Sequence, residues 1–176
     1  SKQEIIRRYF DALNALAKGS TSEKEAQKIE LLMNMAGITV TDRKVVIKAL
    51  ERAKETDGPA AALELRDGRI ITGKATNLLG ASAALLLNVL KVLAGIDHET
   101  HIISPESIEP IQKLKVDYLK SKNPRLHTDE VLIALSASAA TNPQARLALS
   151  QLPELAGCQA HTSVMLSDVD IKIFKK

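Results

Sequence analysis

This 176-residue chain is poor in several features that define common protein classes. Aromatic residues make up only 2% of it and tryptophan is absent, which argues against recognition of single-stranded nucleic acid through stacking on aromatic rings. The one cysteine, Cys158, has no partner for an internal disulfide, so we expect a reducing, cytoplasmic environment. The longest apolar stretch, residues 81–96, is interrupted by Ser82, Asn88 and Lys91 and is too short to span a bilayer, so we expect no membrane partner.

The charge balance argues against a nucleic-acid-binding protein. The chain carries 24 Lys and Arg against 21 Asp and Glu, and this net charge of +3 is spread along its length. Nucleic-acid-binding domains concentrate positive charge on one face, so we expect no nucleic-acid partner. Apolar residues make up 45% of the chain, and its length allows a sizeable core, which has to be built from Leu, Ile, Val and Ala.

Residues 1–57 are predicted to form a helical subdomain. Apolar residues recur at helical spacing in three consecutive segments, which end near Gly19, Gly37 and Asp57. We expect Thr41 to cap the third helix.

Residues 58–176 are predicted to form a second, sandwich-like α/β domain. Extended runs are expected at residues 60–65, 69–72, 100–103 and 158–166. The first two are joined by Asp67-Gly68, which is typical of a two-residue hairpin loop, and a short terminal turn is expected at 167–174. The predicted fold class is α+β, with a three-helix segment followed by a small sheet of about four strands, a hairpin plus two, packed with helices.

Three short motifs predict where helices of the second domain begin. Ser104 precedes Pro105, a residue that favours the first helical position. Asn142 precedes Pro143 in the same way, and Thr128 is expected to cap a mostly apolar helix.

Several distinctive strings also stand together, at residues 31–34, 36–38, 79–85, 103–106, 109–112 and 121–143. With them the chain resembles the C-terminal region of a bacterial family of uncharacterised proteins, the domain-of-unknown-function family eighteen-forty-six. The resemblance covers nearly the whole chain. It implies that the chain is part of a longer protein whose N-terminal half is a phosphate- or nucleotide-binding α/β domain, and it transfers no activity or catalytic residue.

A phosphate-binding loop is suggested by residues 68–74, which match the spacing Gly-x4-Gly-Lys. Ala75 stands where a magnesium-binding hydroxyl is required, and Ile70-Ile71 favours a strand over a loop. We therefore interpret the match as accidental.

An anion site without a phosphate-binding loop is predicted where that strand leads into the apolar helix. Lys74 supplies a positive charge, Thr76 and Asn77 supply polar groups, and Ser82 lies in the first turn of the helix, where backbone N–H groups favour anions. The alternative is that Gly80 permits close packing and that Ser82 only caps the helix.

The second wall of this cleft is expected from residues 125–128. Arg125 suits carboxylate or phosphate contact, Thr128 adds a hydroxyl, and His127 is a candidate proton carrier, whereas the alternative role of all three is capping and loop geometry. His161 is a second weak candidate for catalysis.

No metal site and no cofactor are evident in the sequence. The spacing of His98-x-x-His101 is not that of a zinc-binding helix, and no paired cysteine supplements it.

The leading functional hypothesis is a domain that packs on the N-terminal domain of the same protein, makes contacts in a homo-oligomer and forms part of a cleft for a small anionic ligand. The first alternative is half of an enzyme site for a phosphorylated or carboxylated metabolite, with His127 or His161 as acid or base. The second is a purely structural assembly module. Whether the chain is an enzyme stays open at this point.

Overall fold

The computed structural model describes residues 1–19 and 23–163, in which three helices precede a pair of strands, and four more helices separate that pair from a third strand. Its helices are α1 (Lys2–Ala17), α2 (Glu23–Met35), α3 (Lys44–Thr56), α4 (Ala81–Ala94), α5 (Pro105–Lys113), α6 (Thr128–Ala139) and α7 (Pro143–Ser150). Its strands are β1 (Ala60–Glu64), β2 (Ile70–Lys74) and β3 (Gln159–Thr162). The α+β class is therefore confirmed.

The sheet is antiparallel, with the strand order β2-β1-β3. Its central strand is rich in alanine, and both faces of it are covered because side chains alternate along a strand. Ala61 and Leu63 pack in a cluster with α4, whereas Ala62 packs against Val45 and Ala49 of α3. Small side chains on β1 thus let two helices approach the sheet from opposite sides.

Helix α4 is apolar on nearly all of its faces, and the rest of the chain covers it on two sides. Leu85 and Val89 face the sheet, and Leu86 and Leu90 pack in the cluster that contains residues of α6 and α7. A helix that is apolar on all faces belongs in a core, and α4 needs no external partner to bury it.

The strand β2 lies unusually close to α4 at Gly73. A β-carbon at this position would overlap the backbone of Leu85. Gly73 therefore serves helix–sheet packing, and the string 68–74 forms a hairpin turn and a strand, with Gly68 at a φ of 89°.

The hairpin lies where Asp67-Gly68 predicts it, but its loop is longer than two residues. Leu65 N donates to Arg69 O, and Gly68 N donates to Leu65 O, so residues 66–68 form the loop. This is the three-residue hairpin turn with a left-handed glycine.

The sheet has three strands within the described residues, and the prediction of about four is corrected. Residues 100–103 form a loop in which Ile102 and Ile103 are buried beside α4. A short apolar run reports burial without distinguishing a strand from a buried loop. The strand expected at 158–166 begins at Gln159, its part beyond Ser163 lies outside the described residues, and so does the turn expected at 167–174.

The N-terminal segment contains three helices, with one correction. Thr41 lies in a short 3-10 turn, Val40–Asp42, and Arg43 takes the capping position of α3. Ser104 and Asn142 take the positions predicted for them, and the Asn142 side chain accepts bonds from two backbone N–H groups. Thr128 is the first residue of α6, so the capping position moves to His127.

A buried ion pair fixes the chain between α5 and α6. A π-helical turn, Leu114–Tyr118, presents Lys115 inward, where it is 8% exposed. Its Nζ donates to Glu130 Oε1 at 2.8 Å and to Arg125 O at 2.6 Å. This pair holds residue 125 against the start of α6.

Candidate functional site

A cavity of about 530 Å³ opens beside the end of β2. Its walls are formed by strand β2, the loop that leads to α4, one face of α4, the segment after α4 and the start of α5, and α3 adds one side chain. Among its polar lining residues are Lys74, Thr76 and Asn77. Three of the residues that the sequence predicts for an anion site thus lie together at an open cavity.

The charged and titratable groups of the lining are all basic. They are Arg52, Lys74, Lys91, His98 and His101. Among the described residues that line this cavity there is no Asp or Glu, and we call it the basic cleft. A concave surface lined by one sign of charge concentrates ligands of the opposite sign.

Lys74 is the least constrained of these cations. It is exposed, and within residues 1–19 and 23–163 its ammonium makes no hydrogen bond or ion pair. Arg52, in contrast, contacts Glu55 on its own helix at 3.2 Å, and its buried Nε has no partner in the same ranges. Both groups keep unused N–H donors at the cavity.

Lys91 is held at the far side of the basic cleft. Its Nζ donates to His98 O at 3.0 Å. Burial lowers the pKa of Lys91, and the nearby carboxylates of Asp97 and Glu99 oppose that shift. An anion in the basic cleft would favour the charged form of this lysine in the same way.

The loop that carries Thr76 and Asn77 is clamped from two sides. Thr76 Oγ1 accepts bonds from the backbone N–H groups of residues 78 and 79. Arg125 Nε donates to Thr76 O at 2.6 Å, and Gln112 Nε2 donates to Asn77 O at 2.9 Å. Arg125 therefore positions the loop from behind and does not line the basic cleft.

The other predicted anion-site residues lie elsewhere. Ser82 is 5% exposed in the first turn of α4, and Thr128 is fully buried in the first turn of α6. Neither is among the residues that line the basic cleft.

The two histidines predicted as acid–base candidates are also outside the basic cleft. The His127 backbone N–H donates to Glu130 Oε1 at 2.9 Å, next to the Lys115 pair. His161 packs on Phe10 with ring centroids 4.4 Å apart, and burial, assisted by Arg43, lowers its pKa to about 4. The histidines that line the basic cleft beside Lys74 are His98 and His101.

Sequence reasoning assigned no role in anion binding to Arg52, Lys91, His98 and His101. One signal was present, because Asn88 and Lys91 interrupt an apolar helix three residues apart, a spacing that places them on one face. Asn88 Nδ2 in fact donates to Thr72 O at 3.0 Å at the cavity wall. Nothing local indicates that Arg52 or the 98–101 segment reaches the same place.

Two further findings concern ligands and membranes. Within the described ranges, no three His, Cys, Asp or Glu side chains are grouped in a way that could hold a metal ion. No helix there has the length and apolar character needed to cross a membrane.

The fold and the cavity define an α+β domain with a cationic ligand-sized cleft, and sequence comparison places this domain in a family. A profile described as "Domain of unknown function DUF1846, C-terminal" matches residues 41–176, and the chain belongs to that family. The resemblance drawn from the sequence strings is confirmed.

Similar proteins come from several bacteria. A "UPF0371 protein" of Corynebacterium aurimucosum is 58% identical over 175 residues, which cover 99% of this chain and 35% of that protein. A "UPF0371 protein" of Streptococcus thermophilus is 49% identical over 176 residues, which cover 100% of this chain and 36% of that protein. The chain thus spans about a third of the length of these curated relatives.

Proposed function

We propose that this chain contributes a binding cleft for a small phosphorylated or carboxylated molecule to a longer bacterial protein. The observation that carries the proposal is the Lys74 ammonium, which pairs with no described residue and lies at a cavity whose described lining contains no carboxylate. An anion there gains the attraction of Lys74, Arg52 and Lys91 without competition from a lining acid.

The dimensions of the basic cleft support a small ligand. Its volume of about 530 Å³ falls inside the range of small-molecule sites, roughly 300–1,000 Å³. Polar groups gather at the Lys74 end, and Leu87, Ile102 and Ile103 form an apolar part of the wall. A ligand with one anionic end and a less polar body fits this arrangement of a polar end and an apolar wall.

The proposal includes packing on an N-terminal phosphate- or nucleotide-binding domain and contacts in a homo-oligomer. It is supported by the length of the relatives, of which this chain covers about a third. Exposed apolar side chains supply candidate contact surfaces, most clearly Leu31, Leu32 and Met35 on α2, which are 59%, 59% and 76% exposed. Clustered apolar exposure of this kind is typical of interaction surfaces.

We prefer binding over the enzyme half-site because His127 and His161 do not line the basic cleft with Lys74. We prefer it over a purely structural module because such a module has no need for a cavity whose described lining carries cations and no carboxylate.

The four histidines of the chain allow a direct test. The 176-residue chain is titrated with inorganic phosphate, pyrophosphate and ADP at constant ionic strength, and the imidazole resonances are followed by NMR. We expect saturable shifts of the His98 and His101 resonances by at least one of these anions, with the His161 resonance unchanged. At about 100 times its Kd the same anion is expected to stabilise the fold by about 2.7 kcal/mol, seen as a higher melting temperature.

A matched pair of variants makes the test specific to the basic cleft. Lys74→Gln removes the unpaired charge, and Lys28→Gln removes an exposed lysine on α2. We expect the first to abolish the histidine shifts and the second to preserve them. Absence of saturation with all three anions, or equal weakening by both variants, would contradict the proposal.

A further inference from the structure

A second cavity, of about 510 Å³, lies where α1, α3 and β3 meet. Its charged and titratable lining consists of Arg7, Tyr9, Asp11, Arg43 and His161. We call it the Arg43 cavity. Among the described residues none lines both this cavity and the basic cleft, so a ligand of the Arg43 cavity is independent of the proposed function.

Arg43 is the unusual group in this cavity. It is 3% exposed, and its Nη2 donates to Gln159 Oε1 at 3.0 Å and to Ala160 O at 2.8 Å. In the described parts of the chain its fully buried Nε has no partner, its two hydrogen bonds are both made by Nη2, and no carboxylate lies within ion-pair distance of it. A buried guanidinium normally has such a partner, because burial removes the water that would otherwise stabilise its charge.

The acidic groups nearby are already committed to another arginine. Arg7 Nη1 contacts Asp11 Oδ2 at 2.9 Å, and Arg7 Nη2 contacts Glu4 Oε1 at 2.7 Å. Burial and the charge of Arg7 lower the pKa of Arg43, whereas Asp11, Glu4 and Glu64 act against that shift. Positive charge at Arg43 therefore lacks a close counter-ion within the described residues.

The remaining walls are neutral or apolar. The pKa of His161 is lowered to about 4, so its imidazole is neutral at pH 7. Phe10, Leu13, Val46 and Leu50 supply an apolar surface to the same cavity. A ligand here needs one anionic group for the guanidinium and an apolar body for the rest of the space.

We propose that the Arg43 cavity binds a small monocarboxylate, with its carboxylate on Nη1 of Arg43 and its apolar body on Phe10 and Val46. Nε is fully buried and Nη2 is bonded to Gln159 and Ala160, so Nη1 is the nitrogen left for a ligand, and a charged N–H forms a strong hydrogen bond to a carboxylate oxygen. Arg7 and Asp11 on the same wall are paired with each other, so Arg43 carries the one uncompensated charge of the described lining, which a monoanion neutralises and a phosphate dianion exceeds.

The test uses phenylacetate as probe on the whole 176-residue chain at constant ionic strength. Each imidazole resonance is assigned with a single His→Gln variant. We expect phenylacetate to shift the His161 resonance saturably and to leave the His98 and His101 resonances in place. Phenylacetamide, which has the same shape without the charge, and inorganic phosphate are expected to leave the His161 resonance unchanged.

Variants at the guanidinium identify its role. Arg43→Met is expected to weaken phenylacetate binding about tenfold or more, since a hydrogen bond to a charged group is lost. Arg43→Lys keeps a charge but places its donor differently, is expected to bind at an intermediate level, and serves if the methionine variant does not fold. Arg8→Met, on the exposed side of α1, is the matched control and is expected to bind normally.

Three outcomes would overturn the proposal. The first is no response of the His161 resonance to phenylacetate, and the second is equal binding of phenylacetamide. In the third, the unmodified chain does not bind phenylacetate but a chain carrying Asp168→Asn and Asp170→Asn does. That result would mean that a carboxylate of the segment after Ser163 occupies Arg43. Because the reporters of the two cavities are different histidines, failure here is distinguishable from failure of the proposed function.

Discussion

The basic cleft and the Arg43 cavity hold their positive charge in different ways. Lys74 of the basic cleft is exposed, and water solvates its ammonium when no ligand is bound. Arg43 is 3% exposed and has lost that solvation, with only two neutral acceptors to replace it among the described residues. An exposed cation adds attraction for an anion at little cost to the fold, whereas a buried cation also links ligand binding to stability.

The walls of the two cavities differ as well. One side of the basic cleft depends on a close approach of backbone to backbone, at Gly73 and Leu85. The Arg43 cavity depends on side chains of α1 and α3 that meet β3. Substitutions that affect one set of contacts and spare the other test this distinction.

The largest effect is expected at Gly73. Gly73→Ala places a β-carbon against the backbone of Leu85, so β2 has to move away from α4, and we expect the free energy of unfolding to fall by about 3 kcal/mol. Urea denaturation measures this change. Gly80→Ala is the matched control, since the nearest atom to a β-carbon there is Leu126 O at 3.6 Å, and about 1 kcal/mol or less is expected. Equal effects of the two variants would contradict the close approach of β2 to α4.

The next effect concerns the ion pair behind the basic cleft. Lys115→Met leaves the Glu130 carboxylate without its ammonium partner, and we expect a loss of about 2 kcal/mol because both side chains are mostly buried. Lys48→Met breaks the exposed pair with Glu51 and is expected to cost about 0.5 kcal/mol or less. Calorimetric unfolding of both variants compares them. Similar losses would show that burial adds nothing to the Lys115–Glu130 pair.

A pH effect is expected from the Arg43 cavity. The pKa of His161 in the folded chain, about 4, is below its ordinary value of 6.5, so between these values the unfolded chain binds the proton and the folded chain does not. Stability is therefore expected to fall as the pH drops from about 6.5 to about 4, by on the order of 1 kcal/mol after allowance for partial exposure. Urea midpoints at pH 7.0, 5.5 and 4.5 follow this loss.

His161→Gln removes that titration and is expected to flatten the pH dependence in this range. His98→Gln, a substitution at an exposed histidine of the basic cleft, is the control and is expected to retain the slope. A slope that persists in the His161→Gln chain would assign the pH dependence to another group.

The smallest effect is expected at Arg125. Arg125→Gln removes the charged donor to Thr76 O and loosens the loop that carries Thr76 and Asn77. We expect anion affinity in the basic cleft to fall about fivefold, equivalent to about 1 kcal/mol, with little change in the melting temperature. The phosphate-dependent shifts of the His98 and His101 resonances measure it. A loss as large as that of Lys74→Gln would mean that Arg125 contacts the anion directly.

The features that the sequence predicts correctly depend on residues that are neighbours in the chain. The hairpin signal at residues 67–68 and the proline-marked starts of α5 and α7 act over two or three residues, so their effect does not depend on the rest of the fold. Lys74, Thr76 and Asn77 lie at one cavity because they are neighbours in a single loop.

Predictions that needed distant partners were less successful. The apolar run at 100–103 predicts a strand, but its isoleucines are buried in a loop beside α4. Ser82 and Thr128 are predicted site residues because they begin helices, whereas packing buries both. The residue type determines which contacts a side chain is able to make. Its neighbours in the fold determine whether that side chain is exposed to a ligand.

By itself the sequence determined the α+β class, the hairpin, the apolar character of α4 and the family, because each of these is encoded in composition, short motifs or ordered strings of residues. Only the tertiary structure decided which cations share a cavity. Arg52, Lys91 and His98 reach the basic cleft from α3, α4 and the segment after α4, and Arg43 meets β3 across 116 positions of the chain. Such proximities follow from how helices cover both faces of a sheet, and the energies that select them are summed over the whole core.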